Sequence, residues 1–231
     1  MPTDLGGTVK MTFRGTLMEE QEMTTRAVDP DGKAIRTFWL FCFDENSLFL
    51  GRTRAVGAEI DGDPTISGNF TADIPASTRV IHYLVNVNLD AFEDRNYLGT
   101  SESYVISPLV STSGRLTYWS RGTYTPGGTP HVILYRGQAL VTAKSETTGF
   151  TLDGLAVCNR WLSGTVAPFD AEKDNEAARF DWTLDNPFVS FHGAMQKAID
   201  PKGVKSGQTE EFIFEHKNAS EDPLSVIVKG T

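Results

Sequence analysis

From Thr8 to Leu17 the chain reads Thr-Val-Lys-Met-Thr-Phe-Arg-Gly-Thr-Leu. Apolar and polar residues alternate with a period of two. Val9, Met11, Phe13 and Leu17 therefore share one face of a strand, and Lys10, Thr12, Arg14 and Thr16 the other. A polar segment, 19–33, follows, with Thr24-Thr25-Arg26-Ala27 and the turn former Asp29-Pro30-Asp31-Gly32. Then Thr37-Phe38-Trp39-Leu40-Phe41-Cys42-Phe43 is apolar on both faces, the pattern of a central strand covered on both sides. A half-buried strand is thus joined to a core strand by a long connection that carries an arginine. A cut in that connection would free the first strand and leave the core strand intact.

Working outward, 44–47 reads as a turn and 48–54 as the return strand of a hairpin. Residues 67–74 form a further strand ended by Pro75. Residues 79–88 form a strong one with Ile81, Tyr83, Val85 and Val87 on one face and His82 opposite. A short helix over 89–97, capped by Asn88 or Asp90, is expected next, then strands at Tyr104-Val105-Ile106 and 116–119. Pro126-Gly127-Gly128-Thr129-Pro130 can propagate neither helix nor ladder, so it divides the chain into 1–125 and 126–231. Beyond it, 132–143 reads as one long strand, 150–159 as another, and 211–215 with 224–230 as a closing hairpin. Amphipathic helical patterns are scarce, and the fold class is all-β.

The 231 residues carry a formal charge of −9, which argues against nucleic acid and anionic membrane surfaces as partners. No segment is long and apolar enough to span a bilayer as a helix, so no transmembrane segment is expected. Met1-Pro2-Thr3-Asp4-Leu5 lacks the basic start and apolar run of an export signal, which at face value implies a cytoplasmic protein. Cys42 and Cys158 lie in apolar runs and read as buried thiols, with a disulfide between them as the alternative.

Signals for catalysis are few. His82, His131, His192 and His216 are scattered without metal-ligand spacing, and no nucleophile elbow, phosphate loop or zinc helix is present. Asp29–Gly32 and Asp61-Gly62-Asp63 lack the closing glutamate of a calcium loop and read as turns. No catalytic residue, metal or cofactor is expected. Trp39, Phe41, Phe43, Tyr83 and Phe150 alternate along strands as core residues. Trp119, Trp161 and Trp182 fall near expected turns, where a ring either plugs the end of a sandwich or stacks on a sugar.

Taken in order, several stretches resemble the Bacteroidales fimbrillins, the subunits of the type V pilus. Lys10-Met11-Thr12-Phe13-Arg14 resembles that family's "VTFR" strand, and Thr25-Arg26-Ala27 its "TRA" loop. Phe-Trp-Leu-Phe-Cys-Phe-Asp-Glu-Asn-Ser-Leu at 38–48 resembles its "LWVFQFDENGxL" strand. Farther on, Phe150 to Asn159 resembles "FxLxsvxVyN", and Ile227-Val228-Lys229-Gly230 the closing "IxVKG" strand. The resemblance implies two tandem transthyretin-like Greek-key β-sandwich domains, the second short at its carboxy end.

It also implies a non-catalytic fimbrial subunit, or a fimbria-associated tip or anchor protein, at the cell surface and outer membrane. Such a protein descends from a lipoprotein precursor, its export signal trimmed. Its partners would be other fimbrial subunits and a host or bacterial surface receptor or glycan. Assembly would proceed by strand complementation: removal of a native strand leaves unpaired N–H and C=O groups and apolar pockets that a partner's strand fills. Val9, Met11, Phe13 and Leu17 are the side chains of the exchangeable strand. Arg26-Ala27 matches the family's proteolytic processing site; the competing reading is an ordinary loop arginine that is never cut. The alternative function is a surface glycan-binding lipoprotein that uses one of the exposed tryptophans.

Overall fold

The computed structural model describes residues 7–17, 35–57, 67–106, 108–112, 116–167, 195–214 and 220–231. Its first elements are β1 (Thr8–Leu17), β2 (Phe38–Phe43), β3 (Phe49–Arg54), β4 (Ser67–Pro75) and β5 (Val80–Val85). A helix, α1 (Glu102–Ile106), and the strands β6 (Val110–Thr112), β7 (Tyr118–Thr123) and β8 (His131–Arg136) follow. Seven of these strands form one sheet in the order β3-β2-β5-β7-β8-β1-β4. The sheet curls until its ends meet: Val56 and Thr71 exchange two backbone hydrogen bonds of 2.8 Å. The result is an all-β sandwich with one inner core.

The interior explains why β2 and β5 read as apolar on both faces. Phe38, Leu40 and Cys42 of β2, with Ile81, Tyr83 and Val85 of β5, point into the inner core. Phe41, Phe43, Val80 and Leu84 point the other way, into a second cluster with Phe92, Val105, Ile106 and Leu109. Segment 87–109 thus roofs the outer face of the sheet. The hairpin between β2 and β3 closes as its sequence expects. Asp44 Oδ1 accepts from the amides of Asn46 (2.8 Å) and Leu48 (2.9 Å), while Ser47 takes a φ of 58°.

Within the roof the sequence misleads. Tyr104-Val105-Ile106 is helical, because α1 buries Glu102, Val105 and Ile106 and leaves Tyr104 62% exposed. Burial on a helical stripe overrides the strand propensity of Val and Ile. Residues 89–97 hold turns and a 3₁₀ segment, Asp94–Asn96, in place of one capped helix. Asn88 Oδ1 does accept from the Asp90 amide, at 2.9 Å.

The remaining strands are β9 (Ala139–Thr142), β10 (Leu152–Cys158), β11 (Arg160–Trp161), β12 (Ser163–Thr165), β13 (Met195–Gln196), β14 (Glu210–Ile213) and β15 (Ser225–Gly230). They pair as β9 with β14, β10 with β15, β11 with β13, and β12 with β6. Three expectations change here. The 126–130 stretch lies in the β7–β8 connection, and β8 pairs with both β7 and β1, so a division at 125/126 would cut the first sheet. The strand expected over 132–143 breaks at Gly137, whose amide donates to Thr117 O at 2.9 Å, and β9 turns away to β14. Finally, β14 and β15 each pair with an earlier strand, and no pairing between the two occurs among the described residues.

Cys42 and Cys158 are buried and unbridged. Burial, only partly offset by a hydrogen bond with Thr78, pushes the Cys42 thiol up to about 12. Phe150 departs from its expected core position: it is 40% exposed, its ring laid against Gly230.

Candidate functional site: the seat of the first strand

β1 is threaded into the interior of the sheet. It runs antiparallel to β4 from Thr8↔Pro75 to Thr16↔Ser67, and parallel to β8 from Arg14↔His131 to Leu17↔Leu134. The period of two read from the sequence governs its burial. Met11 and Phe13 are buried and Val9 packs partly buried against the same cluster, while Lys10, Thr12 and Arg14 are exposed. The Phe13 ring is held by three others: Phe38 at 5.3 Å edge-on, Phe70 stacked at 5.5 Å, and Tyr83 tilted at 5.3 Å. Behind it Gly15 passes close under Phe70, where a Cβ would lie 3.1 Å from the ring. The Leu17 backbone extends the ladder to β8; its side chain lies outside the described residues.

The hydrogen-bonding sense of β1 follows from its two ends. Gly7 O accepts from Ala76 N on the β4 side, and Arg14 N donates to Pro130 O on the β8 side, each at 3.0 Å. By alternation the N–H and C=O groups of Lys10 and Thr12 face the β8 side, where pairing among the described residues begins only at Arg14. Next to this ladder Thr16 Oγ1 and His131 Nε2 are 2.8 Å apart. Taking β1 out would strip β4 of its antiparallel partner and expose the Phe38–Phe70–Tyr83 pocket. The shape of that seat matches an extended strand with apolar side chains at alternate positions.

Among the other expected site residues, Arg26, Ala27 and Trp182 lie outside the described residues. Trp161 is half-buried on β11. Trp119 is 2% exposed, so no face of its ring is open to a sugar.

Trp119 instead belongs to a buried polar cluster that sequence spacing did not reveal. Its Nε1–H donates to His82 Nδ1 at 3.1 Å. An indole can only donate, so Nδ1 carries the lone pair and Nε2–H donates to Glu102 Oε1 at 2.6 Å. Arg121 closes the network on both oxygens of Glu102, through Nε and, at 3.1 Å, through Nη2. Burial lowers the His82 pKa, outweighing the pull of the Glu102 carboxylate. Burial raises that of Glu102, but the hydrogen bonds and charges of His82 and Arg121 prevail and bring it down to about 2. Both imidazole nitrogens are engaged, so the cluster fastens α1 to β5 and β7 and presents no free base.

A second clamp occupies the rim of a 430 Å³ cleft lined by Trp39, Arg52, Asn86 and Asp90. The Arg52 guanidinium lies over the Trp39 ring at 4.8 Å, donates to Phe92 O at 3.0 Å and pairs with Asp94 at 2.8 Å. The protein's own arginine thus takes the ring face that a sugar would need. No helix among the described residues is long and apolar enough to cross a membrane.

No protein-family model and no curated protein matches this chain. Solved structures do. A candidate cell adhesion protein from Parabacteroides distasonis aligns over 98% of this chain and 76% of its own, at 14% identity and a TM-score of 0.51. The tip fimbrial protein from Porphyromonas gingivalis, with a C-terminal truncation, aligns over 96% and 80%, at 11% identity and a TM-score of 0.50. A fimbrial assembly protein from Parabacteroides distasonis aligns over 97% and 82%, at 11% identity and 0.47. Identities this low establish likeness of architecture: the chain has the all-β fold of fimbrial and adhesion proteins from Bacteroidales.

Proposed function

We propose that this chain is a non-catalytic fimbrial subunit, or a fimbria-associated tip or anchor protein, at the cell surface, and that it joins other fimbrial subunits by strand complementation. The observation that carries the reading is the seat of β1. Its apolar face completes the inner core through Met11 and Phe13, yet the strand is followed by a long polar segment that contains Arg26-Ala27. Cleavage there would release the strand and leave the ring pocket and the β4 ladder for an equivalent strand from a neighbour. The fold shared with a tip fimbrial protein supports the same reading. An exported precursor, trimmed before assembly, fits this role. We further propose that the segment after β8 forms a second unit built on the β10–β15 and β9–β14 pairs.

Limited digestion with an arginine-specific protease tests it, followed by intact mass and size-exclusion chromatography. The expected result is one dominant cut after Arg26 and a folded remainder that binds a synthetic peptide of residues 7–17 or forms ladders. Faster cutting at other arginines, or a cleaved product that stays an inert monomer, would refute the cleavage mechanism.

A further inference from the structure

The outer edge of β15 has no neighbour among the described residues. On its inner side β15 pairs with β10, and just past its end Thr151 and Thr231 exchange two backbone hydrogen bonds, of 2.6 and 3.0 Å. Backbone groups alternate in direction along a strand, so Ser225, Ile227 and Lys229 face β10 with Thr231. The N–H and C=O groups of Val226, Val228 and Gly230 therefore point outward, where no described residue meets them.

The side chains beside this edge are apolar. Val226 and Val228 are 46% and 48% exposed, although their cross-strand partners Val157 and Leu155 are buried. Gly230 continues the same face, and the half-exposed ring of Phe150 lies where its side chain would stand. Val226, Val228 and the Phe150 ring thus form one apolar ledge about 14 Å long, four residue steps of strand. Sheet edges are ordinarily guarded against strand addition. On β3 the Arg52 amide donates to Asp94 Oδ2 at 3.1 Å, beyond it Val56 closes onto Thr71, and the open stretch of β1 carries exposed Lys10, Thr12 and Arg14. β15 contains no proline, and the bulge in its ladder lies on β10. Its one charged residue, Lys229, alternates onto the opposite face and is paired with Asp153 at 3.1 Å.

We propose that β15 pairs with β15 of a second copy of this chain, antiparallel about a two-fold axis at Val228. In that register Val228 faces the partner's Val228, and Val226 faces the partner's Gly230. The edge is self-complementary: about six main-chain hydrogen bonds form, and each Val226 reaches the ring of the partner's Phe150. Lys229 falls opposite the partner's Ile227, so the charge already held by Asp153 meets no like charge directly across. A contact of this isologous kind closes at two subunits and leaves β1 untouched. It goes beyond the proposed function: it is a property of the uncleaved chain, and its failure would leave the protease experiment standing.

The test is sedimentation equilibrium of the intact chain from about 1 to 200 μM, a range that reveals micromolar association. The expected result is a reversible dimer of twice the 25.4 kDa chain mass. Val228→Lys brings two ammonium groups together at the axis and should weaken the dimer at least tenfold. Leu98→Lys, at an equally exposed position on the roof, should leave it unchanged. Register is read with cysteine. Val228→Cys should form an intersubunit disulfide on mild oxidation, whereas Val226→Cys, whose counterpart lies roughly 14 Å away along the strands, should not. The native Cys42 and Cys158 are buried and do not compete. A chain that stays monomeric overturns the proposal, as does a dimer that survives Val228→Lys or is lost in Leu98→Lys. Absence of bridging by Val228→Cys, or equal bridging by Val226→Cys, overturns it as well.

Discussion

Replacing Phe13 by alanine tests how far β1 is built into the core. The ring is fully buried and touches Phe38, Phe70 and Tyr83 at centroid distances of 5.3–5.5 Å. Its transfer from water contributes about 1.5–3 kcal/mol, and the cavity left between the three remaining rings raises the expected loss to about 3–5 kcal/mol. Thr12→Ala, on the exposed face of the same strand, should cost no more than about 0.5 kcal/mol. Urea unfolding followed by tryptophan fluorescence and far-UV circular dichroism gives both numbers. The contrast carries over to assembly. On subunits cleaved at Arg26, a peptide of residues 7–17 with Phe13→Ala should bind at least 100-fold more weakly than the native peptide, on the order of 3 kcal/mol. A loss under about 1 kcal/mol in the intact protein, or peptides of equal affinity, would show that the ring pocket does not hold the strand and would refute the argument.

Acid should loosen the roof over the sheet. The Glu102 carboxyl lies at about 2 in the folded protein against its ordinary 4.5, so its contribution is complete above pH 4.5 and fades as the pH falls through 2. That contribution is roughly 3 kcal/mol. His82 is also lowered, so its share is complete above about pH 6.5 and declines below it; urea midpoints at pH 7, 5 and 3 should fall in that order. Glu102→Gln should cost roughly 3 kcal/mol at pH 7, by removing the charge that Arg121 pairs with and turning one of the two acceptor oxygens into a donor, and should flatten this pH dependence. Gly230→Ala should destabilise the β10–β15 pair by about 1–3 kcal/mol, measured by chemical denaturation. The new Cβ would lie 2.4 Å from Thr151 O, a backbone atom with little room to retreat. The Cys42 thiol, pushed to about 12 by burial, should react with an aromatic disulfide reagent only at the rate of global unfolding and promptly in urea.

The parts of the fold governed by period two were legible in the sequence. Met11 and Phe13 alternate with Lys10, Thr12 and Arg14, and that alternation alone placed the buried face of β1. The double-sided pattern of Phe38 to Phe43 likewise announced a strand with cover on both faces. What covers it was not legible. Val105 and Ile106 are strand formers by propensity and become helical because Glu102, three positions earlier, must reach His82 and Arg121. The long-range pairings were equally hidden. Nothing local in 131–136 tells that it will lie beside 14–17, and Pro126-Gly127-Gly128 looks the same whether it separates domains or turns a hairpin. The buried cluster is assembled from residues 19 to 37 positions apart, so no spacing rule could find it.

The parallel seat of β1 against β8 also sets an order of events during synthesis. Arg14 meets His131 across 117 positions, so the ladder cannot close until well over a hundred further residues have been translated. At about 5–20 residues per second that is an interval of several seconds or more. Throughout it β1 can already pair with β4, from Thr8↔Pro75 to Thr16↔Ser67, while its other edge waits for β8. Every nascent chain therefore passes through a state in which the edge of β1 that later meets β8 is unpaired. At high local chain density that state invites intermolecular swapping without any proteolysis. An export or holding factor that keeps the chain unfolded until it is complete would suppress this side reaction, and the subunit would reach the assembly site with its own strand in place.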